Sequence, residues 1–328
     1  MHDFNEGNTI DLLPAKDHGV IAEVTSIFQQ PWWLDAVAPG AWSAVEIRRG
    51  GELKARLPYV VDRRMGLTLL RQPLLTPFLG PWIRPSEGKY ATQLAHQKEL
   101  YTELIEQLPA HDYFSQHFHY SVENWLPFYW KGFQQTTRYT YVIDNLTDLD
   151  YIWLEFQENI RREIRKASKR LRVHSEYGID KFLEVNELTF SRQGLPLPYS
   201  RAFVRRLDDA CSARSARKIF FAEDDGGRVH AAAYIVWDER SAYYLMGGGD
   251  PELRTSGATS LVLWEAIKFS HQVSRRFDFE GSMIEPVERF FRAFGARQVP
   301  YFSVSRCSRR MRVLMSARDM MKALVGYS

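Results

Sequence analysis

Two short stretches in the last sixth of the chain hold residue types suited to group transfer. They are Phe277-Asp278-Phe279-Glu280-Gly281-Ser282 and Phe290-Phe291-Arg292-Ala293-Phe294-Gly295. The first reads as a short buried strand with acidic and glycine residues at its end. The second reads as a short helix with a cation beside an aromatic and a glycine stop. Acyl transfer to an amine requires a neutral amine, a stabilised oxyanion and a donor held close to both. Glu280, at the strand's end, could take the amine proton directly or through water. The competing reading pairs it with a neighbouring arginine to fix the loop. Asp278 shares its strand face by the period of two, but Glu280 is placed nearer the open end. Arg292 could donate to the oxyanion or bind a phosphate or carboxylate. Otherwise it is a solvated residue with Glu288 as its i,i+4 partner.

Gly247, Gly248 and Gly249, then Arg254, Ser256, Gly257 and Ala258, fall between a strand and a long helix. Free backbone N–H groups, the helix dipole and small residues would suit an anion there, with Arg254 adding charge. The alternative is that the glycines only turn the chain. There is no complete G-x-G-x-x-G and no Walker lysine, so nucleotide hydrolysis is not supported. Residues 161–172 carry seven lysines or arginines against one glutamate. Such a run is ordinarily a solvated face, yet Arg161, Arg165, Lys169 and Arg172 would share one helical face able to meet phosphates. Arg192, in Ser191-Arg192-Gln193-Gly194, is a further anion-binding candidate. His117 and His119 alternate onto one strand face, but no third ligand with suitable spacing follows, so no metal is expected. No G-x-S-x-G elbow exists, and neither Cys211 nor Cys307 has a nucleophile signature. Residues 308–325 read as a basic amphipathic helix that docks on its own domain or touches an anionic membrane surface.

The positioning elements are clearest in the second half. A strand at 138–143 is followed by a helical pattern over 149–172 and helices at 180–190 and 200–210. Strands at 218–223 and 229–237 form a hairpin around Asp224-Asp225-Gly226-Gly227, and 241–246 adds a third strand. A helix at 256–273, a strand at 277–279, a helix at 286–294 and a strand at 301–305 complete it. The first half offers a weaker copy: helices at 20–28 and 32–37, a hairpin of 42–48 with 53–61, a strand at 67–71, a helix at 90–108 and a strand at 113–120. The Gly-Gly hairpins lie about 175 residues apart, as in a divergent internal duplication. The expected domain boundary is near Arg138.

The chain has 328 residues, 45% hydrophobic and 25% charged, with a net charge of +3. That supports a sizeable core and two domains, and the charge is too mild to imply nucleic acid by itself. With two cysteines outside any C-x-x-C pattern, a reducing compartment is expected. Acidic residues before any apolar run argue against a signal peptide, and no stretch approaches a spanning helix, so a cytoplasmic protein is expected.

The element order over 138–305 resembles the GNAT acyltransferase fold. Its details resemble the tandem-domain, FemAB-like branch, the peptidoglycan-bridge transferases. The likeness rests on Arg161-Arg162-Glu163-Ile164-Arg165-Lys166-Ala167, Tyr243-Tyr244-Leu245-Met246-Gly247-Gly248, Arg254-Thr255-Ser256-Gly257-Ala258 and the opening motif with its downstream Phe-Arg-x-x-Phe-Gly and Pro300-Tyr301. Aminoacyl-transferring members carry Phe-Lys-x-x-Phe-Gly, whereas Arg292 stands here, which keeps charge but changes donor geometry. The resemblance implies an α/β (α+β) protein of two tandem GNAT-like domains. Each would be a mixed, mostly antiparallel sheet flanked by helices: a degenerate domain over 1–137 and an acyltransferase domain over 138–328 with a basic helix at 158–172. It further implies N-acyl transfer from acyl-CoA (acetyl-CoA) to an amine on a sugar or cell-envelope precursor. Glu280 would be the base, Arg292 the charge stabiliser and Tyr301 an acid to the leaving group, if Tyr301 is not merely a buried structural residue. The 247–258 segment would hold the donor's phosphates. Arg162, Arg165, Lys166, Arg192 and the wall residue Phe291 would lie on the acceptor side. Aminoacyl-tRNA transfer onto a peptidoglycan precursor and a non-catalytic anion- or glycan-binding module are the alternatives.

Overall fold

The computed structural model describes Ile21, Val24, residues 26–192, Gly194, residues 196–281 and residues 283–315. The first half contributes α1 (Pro31–Val37), β1 (Trp42–Arg49), β2 (Glu52–Arg64), β3 (Leu67–Arg71), β4 (Trp82–Ile83), α2 (Tyr90–Glu106), β5 (Tyr113–His117) and α3 (Leu126–Trp130). Next come β6 (Gln134–Ile143), α4 (Leu149–Glu155), α5 (Glu158–Ala167), β7 (Leu171–His174), α6 (Ile179–Arg192) and α7 (Arg201–Ser212). Strands β8 (Arg217–Asp224), β9 (Val229–Trp237) and β10 (Ser241–Gly249) lead through a 3-10 turn (Pro251–Ser256) into α8 (Ala258–Ser270). The chain continues through β11 (Arg276–Asp278), α9 (Glu285–Arg292) and β12 (Arg297–Cys307).

All the strands join one sheet in the order β1-β2-β3-β5-β12-β6-β11-β10-β9-β8-β7, with β4 paired to β2. Its pairings are antiparallel except β3 with β5 and β10 with β11. The halves exchange strands at the centre. The first half's last strand, β6, pairs with β11 of the second half, and the second half's last strand, β12, pairs with β5 of the first. β6 and β12 also pair with each other, antiparallel, from Gln134↔Ser305 to Val142↔Arg297, with Arg138 opposite Tyr301. Arg138 therefore sits in the middle of a strand shared by both halves. The repeat is visible in this seam: Phe114, Phe128, Gly132 and Gln135 recur as Phe277, Phe291, Gly295 and Gln298 at one constant offset.

Several elements differ from the expectations. The helix expected over 149–172 is two helices, α4 and α5, and it ends at Ala167. Residues 171–174 form the edge strand β7, so Lys169 and Arg172 do not extend a basic helical face. Helix α3 went unread because its Leu-Pro-Phe-Tyr-Trp run is a single turn too short to show a period. Gly247, Gly248 and Gly249 are not a turn. They continue β10 against Ala233, Ala232 and Ala231. Their small size serves packing: a Cβ on Gly248 would lie 2.7 Å from Asn186 Cα and N, so only glycine lets α6 approach this closely. Of the amphipathic helix expected at 308–325, residues 309–315 are helical and the rest lies outside the described residues.

One apolar cluster joins the halves. Phe28, Trp33, Phe78 and Leu79 pack with Phe182, Val204, Tyr234, Tyr243 and Tyr301 on one face of the sheet. On the other face Tyr141, Phe277, Phe279, Phe291 and Phe294 pack with α4, α5 and α8. A third cluster under α2 and α3 serves the first half. Among the described residues no helix is long and apolar enough to cross a membrane. Gly248→Ala is expected to lower stability by about 1–3 kcal/mol through overpacking. Gly249→Ala, whose Cβ would meet only His230 O at 3.4 Å, should move stability by less than about 0.5 kcal/mol. Chemical denaturation of both variants checks this, and equal losses would refute the packing role.

Candidate functional site

Strands β10 and β11 run parallel for three residue pairs, Ser241↔Arg276 to Tyr243↔Asp278, and then separate. β10 stays with β9 through a bulge between Tyr244 and Met246 and continues to Gly249. β11 is held to the other side, where Phe279 N donates to Tyr141 O. Glu280 and Gly281 then take left-handed backbone conformations, with φ of 57° and 48°. Glycine is required at 281, because a Cβ would lie 2.2 Å from Tyr139 O. The outcome is a wedge in which β10 has lost β11 as its neighbour and is bonded in part by α6: Gly247 O accepts from Asn186 Nδ2 at 2.6 Å and Gly249 N donates to Thr189 Oγ1 at 3.1 Å.

The equivalent wedge in the first half, between β3 and β5, is closed. Gln72 Oε1 accepts from His117 N at 2.6 Å, and Leu79 N donates to His117 O at 2.8 Å. Leu79 bridges Phe118 in parallel, and Gln116 Oε1 accepts from Gly80 N. Residues 72–80 thus fill in the first half the place left open in the second.

Asp278 and Glu280 share the face opposite Phe277 and Phe279. Asp278 is fully buried. Its Oδ1 accepts from Thr140 Oγ1 at 2.5 Å and from Glu280 N at 2.8 Å. Its Oδ2 and the sealed Oε1 of half-buried Glu280 have no partner. Among the described residues neither carboxyl forms a salt bridge. Burial pushes the Asp278 carboxyl up to about 7 against a partial offset from Thr140. Burial, then the Asp278 charge, pushes Glu280 well above the usual carboxylate range. The two form a coupled pair that holds protons above the usual carboxylate range. Tyr301, also buried on this face, accepts from Arg138 Nε at 3.3 Å, leaving its own hydroxyl hydrogen free. Burial raises its pKa, so the phenol stays un-ionised.

At the far end of β10 a cavity of about 270 Å³ is lined by Gly247, Gly248, Gly249, Arg254, Ser256 and Ala258, among others. Gly257 adjoins it as the N-cap of α8, with φ of 79°. A Cβ at Gly257 would meet Glu163 O of α5 at 2.8 Å. Ser260 of α8 donates to Glu163 Oε2 at 2.7 Å, so α5 is fastened to the start of α8. Arg228 is committed to Asp250 and Glu252. Arg254 is exposed and makes no salt bridge among the described residues, so its charge is available to the cavity. The free N–H groups of the α8 first turn add to it.

Other expected residues are placed elsewhere. Arg292 is exposed and donates to Glu288 Oε1 at 2.8 Å, which also accepts from the Tyr141 hydroxyl at 2.8 Å. Tyr141 belongs to the face opposite the carboxylate pair, so Arg292 makes the i,i+4 contact with Glu288 and lies away from Glu280. Phe291 is buried beneath Phe279 at a centroid distance of 5.1 Å and faces Tyr244 at 6.1 Å, a core wall. Arg165 is tied to Glu158 and lies over Trp153. Arg162 and Lys166 are exposed without salt bridges. Arg192 ends α6, and its side chain lies outside the described residues, as does Ser282. His117 and His119 sit in separate settings, one against Tyr301 and the other bonded to Ser121. Among the described residues no group of three or more His, Cys, Asp or Glu side chains is placed to hold a metal. Thr140 gave no sign in the sequence, since only the strand exchange brings it to Asp278. The i,i+2 spacing of Asp278 and Glu280 was a usable signal for the pair.

The family model described as an acetyltransferase (GNAT) domain matches residues 155–292. The fold is similar to that of FemX, with a TM-score of 0.65 and 13% identity over 84% of this chain and 92% of that one. A tandem GNAT protein from the clavulanic acid biosynthesis pathway gives a TM-score of 0.51 and 12% identity over 83% of this chain and 85% of the other. The C-terminal domain (DUF2156) of an Agrobacterium fabrum protein assigned as a lysylphosphatidylglycerol synthetase gives 0.54 and 10% identity over 88% and 92%. No curated protein sequence matches the chain.

A buried acid whose pKa is raised on folding binds more protons folded than unfolded. Its contribution to stability is therefore lost as pH rises from the ordinary aspartate value of about 4 towards about 7. Asp278→Asn, which keeps an acceptor for Thr140, should raise the melting temperature relative to the parent more at pH 8 than at pH 5. A pH-independent difference would show that Asp278 is not held protonated.

Proposed function

We propose that this protein, whose fold is similar to those of FemX and a tandem GNAT protein, is a FemAB-like acyltransferase that moves an acyl group from an acyl-CoA to an amine on a sugar or cell-envelope precursor. The observation that carries the reading is the open wedge between β10 and β11, with a buried carboxylate pair on one side and the Arg254 cavity at its end. The residues fit such a donor. The stretch of β10 that β11 leaves after Tyr243 would lie along an extended amide chain, and Arg254 with the α8 N-terminus offers charge and donors to a diphosphate. Bound there, the donor supplies an activated thioester carbonyl.

The chain's own residues do the rest. Glu280, with Asp278 behind it, takes the proton that the attacking amine must lose, and the raised pKa values suit a base acting near neutral pH. Asp278 positions Glu280 through its bond to the Glu280 N–H. Tyr301 offers its free hydroxyl hydrogen to the departing sulfur. Arg292, held by Glu288 on the other face, fixes α9 against Tyr141 and takes no proton or charge from the reaction. The first half, its wedge closed, contributes the strand carrying Tyr301's neighbours and a wall for the acceptor.

An RNA-borne aminoacyl donor is the second reading. Exposed, unpaired Arg162 and Lys166 lie on α5, which is fastened to the start of α8. On that reading, affinity for RNA would fall steeply with salt, and RNA rather than CoA would co-purify.

Glu280→Gln should lower kcat by about 100-fold or more, within the range general-base catalysis supplies. Arg292→Ala should cost less than about threefold, because its ion pair is exposed. Arg254→Ala should weaken coenzyme A binding about tenfold with little change in kcat at saturation. With an acetyl-CoA donor and a panel of amino sugars, the rate should rise with pH above the usual carboxylate range, because burial raises both carboxyls and the deprotonated pair is the active form. Thiol release assays and calorimetry read all three. Unaltered turnover in Glu280→Gln would overturn the assignment.

A further inference from the structure

A second cavity, of about 290 Å³, lies between the two halves at the opposite end of β10 and β11 from the Arg254 cavity. Its walls come from the 81–85 segment, α2 and residues 119–122 of the first half, and from Asp238 to Tyr243 and Arg276 of the second. Two features mark it as built for a ligand. The first is an orphaned acceptor. Gln29 is only 4% exposed, and its Nε2 donates to Leu79 O at 2.9 Å and Gly80 O at 3.0 Å. Those two bonds fix the amide's orientation and leave Oε1 buried without a donor; Ser26 Oγ, of another residue lining the cavity, is likewise buried without a partner. A buried amide oxygen left bare costs about 1–3 kcal/mol, which a ligand N–H or O–H would recover.

The second feature is uncompensated positive charge. Arg240 and Arg276 both line the cavity, and neither has a carboxylate within salt-bridge distance among the described residues. Asp238, which also lines the cavity and feels the Arg240 charge without forming a salt bridge to it, spends its oxygens on the backbone N–H groups of Ile27, Arg240 and Ser241. His119, on the cavity wall, feels the same excess: burial first, then Arg276 and Arg240, press its pKa down to about 3. Its Nδ1 accepts from Ser121 N at 3.1 Å, so the neutral ring carries its hydrogen on Nε2 and can only donate there. Trp82 adds an aromatic wall.

The geometry points to a second ligand site, formed by Ser26, Gln29, Trp82, His119, Arg240 and Arg276, that takes a phosphorylated sugar or a similarly sized anionic polyol. The phosphate meets the two guanidinium groups, hydroxyl hydrogens meet Gln29 Oε1, and the ring's C–H face lies against Trp82. The site is independent of the acyl-transfer reading, because it is separated from the wedge by the length of the parallel pair and needs no donor to bind.

Calorimetry on the full-length protein without any acyl donor tests it, using glucose 6-phosphate, glucose, inorganic phosphate and glutamate as probes. Glucose 6-phosphate should bind, with glucose and phosphate each at least about tenfold weaker. Arg240→Ala and Arg276→Ala should each weaken glucose 6-phosphate about tenfold or more. Both side chains are free of salt bridges, so their melting temperatures should match the parent. Absence of glucose 6-phosphate binding, or unchanged affinity in both variants, would overturn the site. Glutamate binding as tightly as glucose 6-phosphate would overturn the sugar-phosphate class.

Discussion

The register of β6 against its two neighbours, β11 and β12, is the constraint on which the rest depends. Because each half ends in a strand that pairs with the other half, neither half of the sheet is complete alone. The pairing with β11 brings Thr140 to Asp278 and sets the Tyr139 and Thr140 backbone against Gly281, and the pairing with β12 puts Arg138 opposite Tyr301. A slip of β6 by one residue would turn Thr140 to the opposite face and take its hydroxyl from Asp278. The carboxylate pair exists only because this seam holds it.

The two halves then show what one arrangement can do when open or closed. Both contain a short parallel pair followed by a separation. In the first half Gln72, Leu79 and Gly80 continue the hydrogen bonding of β5 and seal the gap. In the second half no strand or loop among the described residues does so; the Asn186 and Thr189 side chains of α6 reach Gly247 and Gly249, and two carboxyl groups remain with bare oxygens in a low-dielectric setting. His117 occupies in the first half the strand position that Glu280 occupies in the second. A neutral imidazole against Tyr301 has replaced the acid, which suits a wall and not a proton acceptor.

Much of the second half was legible because its strands and helices carry strong periodicity and its hairpin has an unmistakable turn at Asp224-Asp225-Gly226-Gly227. Residues 229–237, for example, form β9 as read. The misreadings have physical causes. Gly247 to Gly249 looked like a turn because glycine's usual reason is conformational, whereas here it is the proximity of α6. The basic run 161–172 looked like one helix because charge periodicity survives the break after Ala167. Arg292 and Glu280 looked like parts of one catalytic site because they are near in sequence, but a strand and the helix after it can serve opposite faces of a sheet. The strand exchange, and with it Thr140, had no local signature, since it is a pairing between residues more than a hundred positions apart.

The central claim is that the second-half wedge, and not its closed counterpart, receives the acyl donor. A crystal structure of the protein with coenzyme A tests it most directly. The account predicts the pantetheine arm along the stretch of β10 that β11 leaves after Tyr243, its diphosphate beside Arg254 and the α8 N-terminus, and its thiol next to Glu280 and Tyr301. Coenzyme A bound between β3 and β5, or on the surface away from β10, would contradict it.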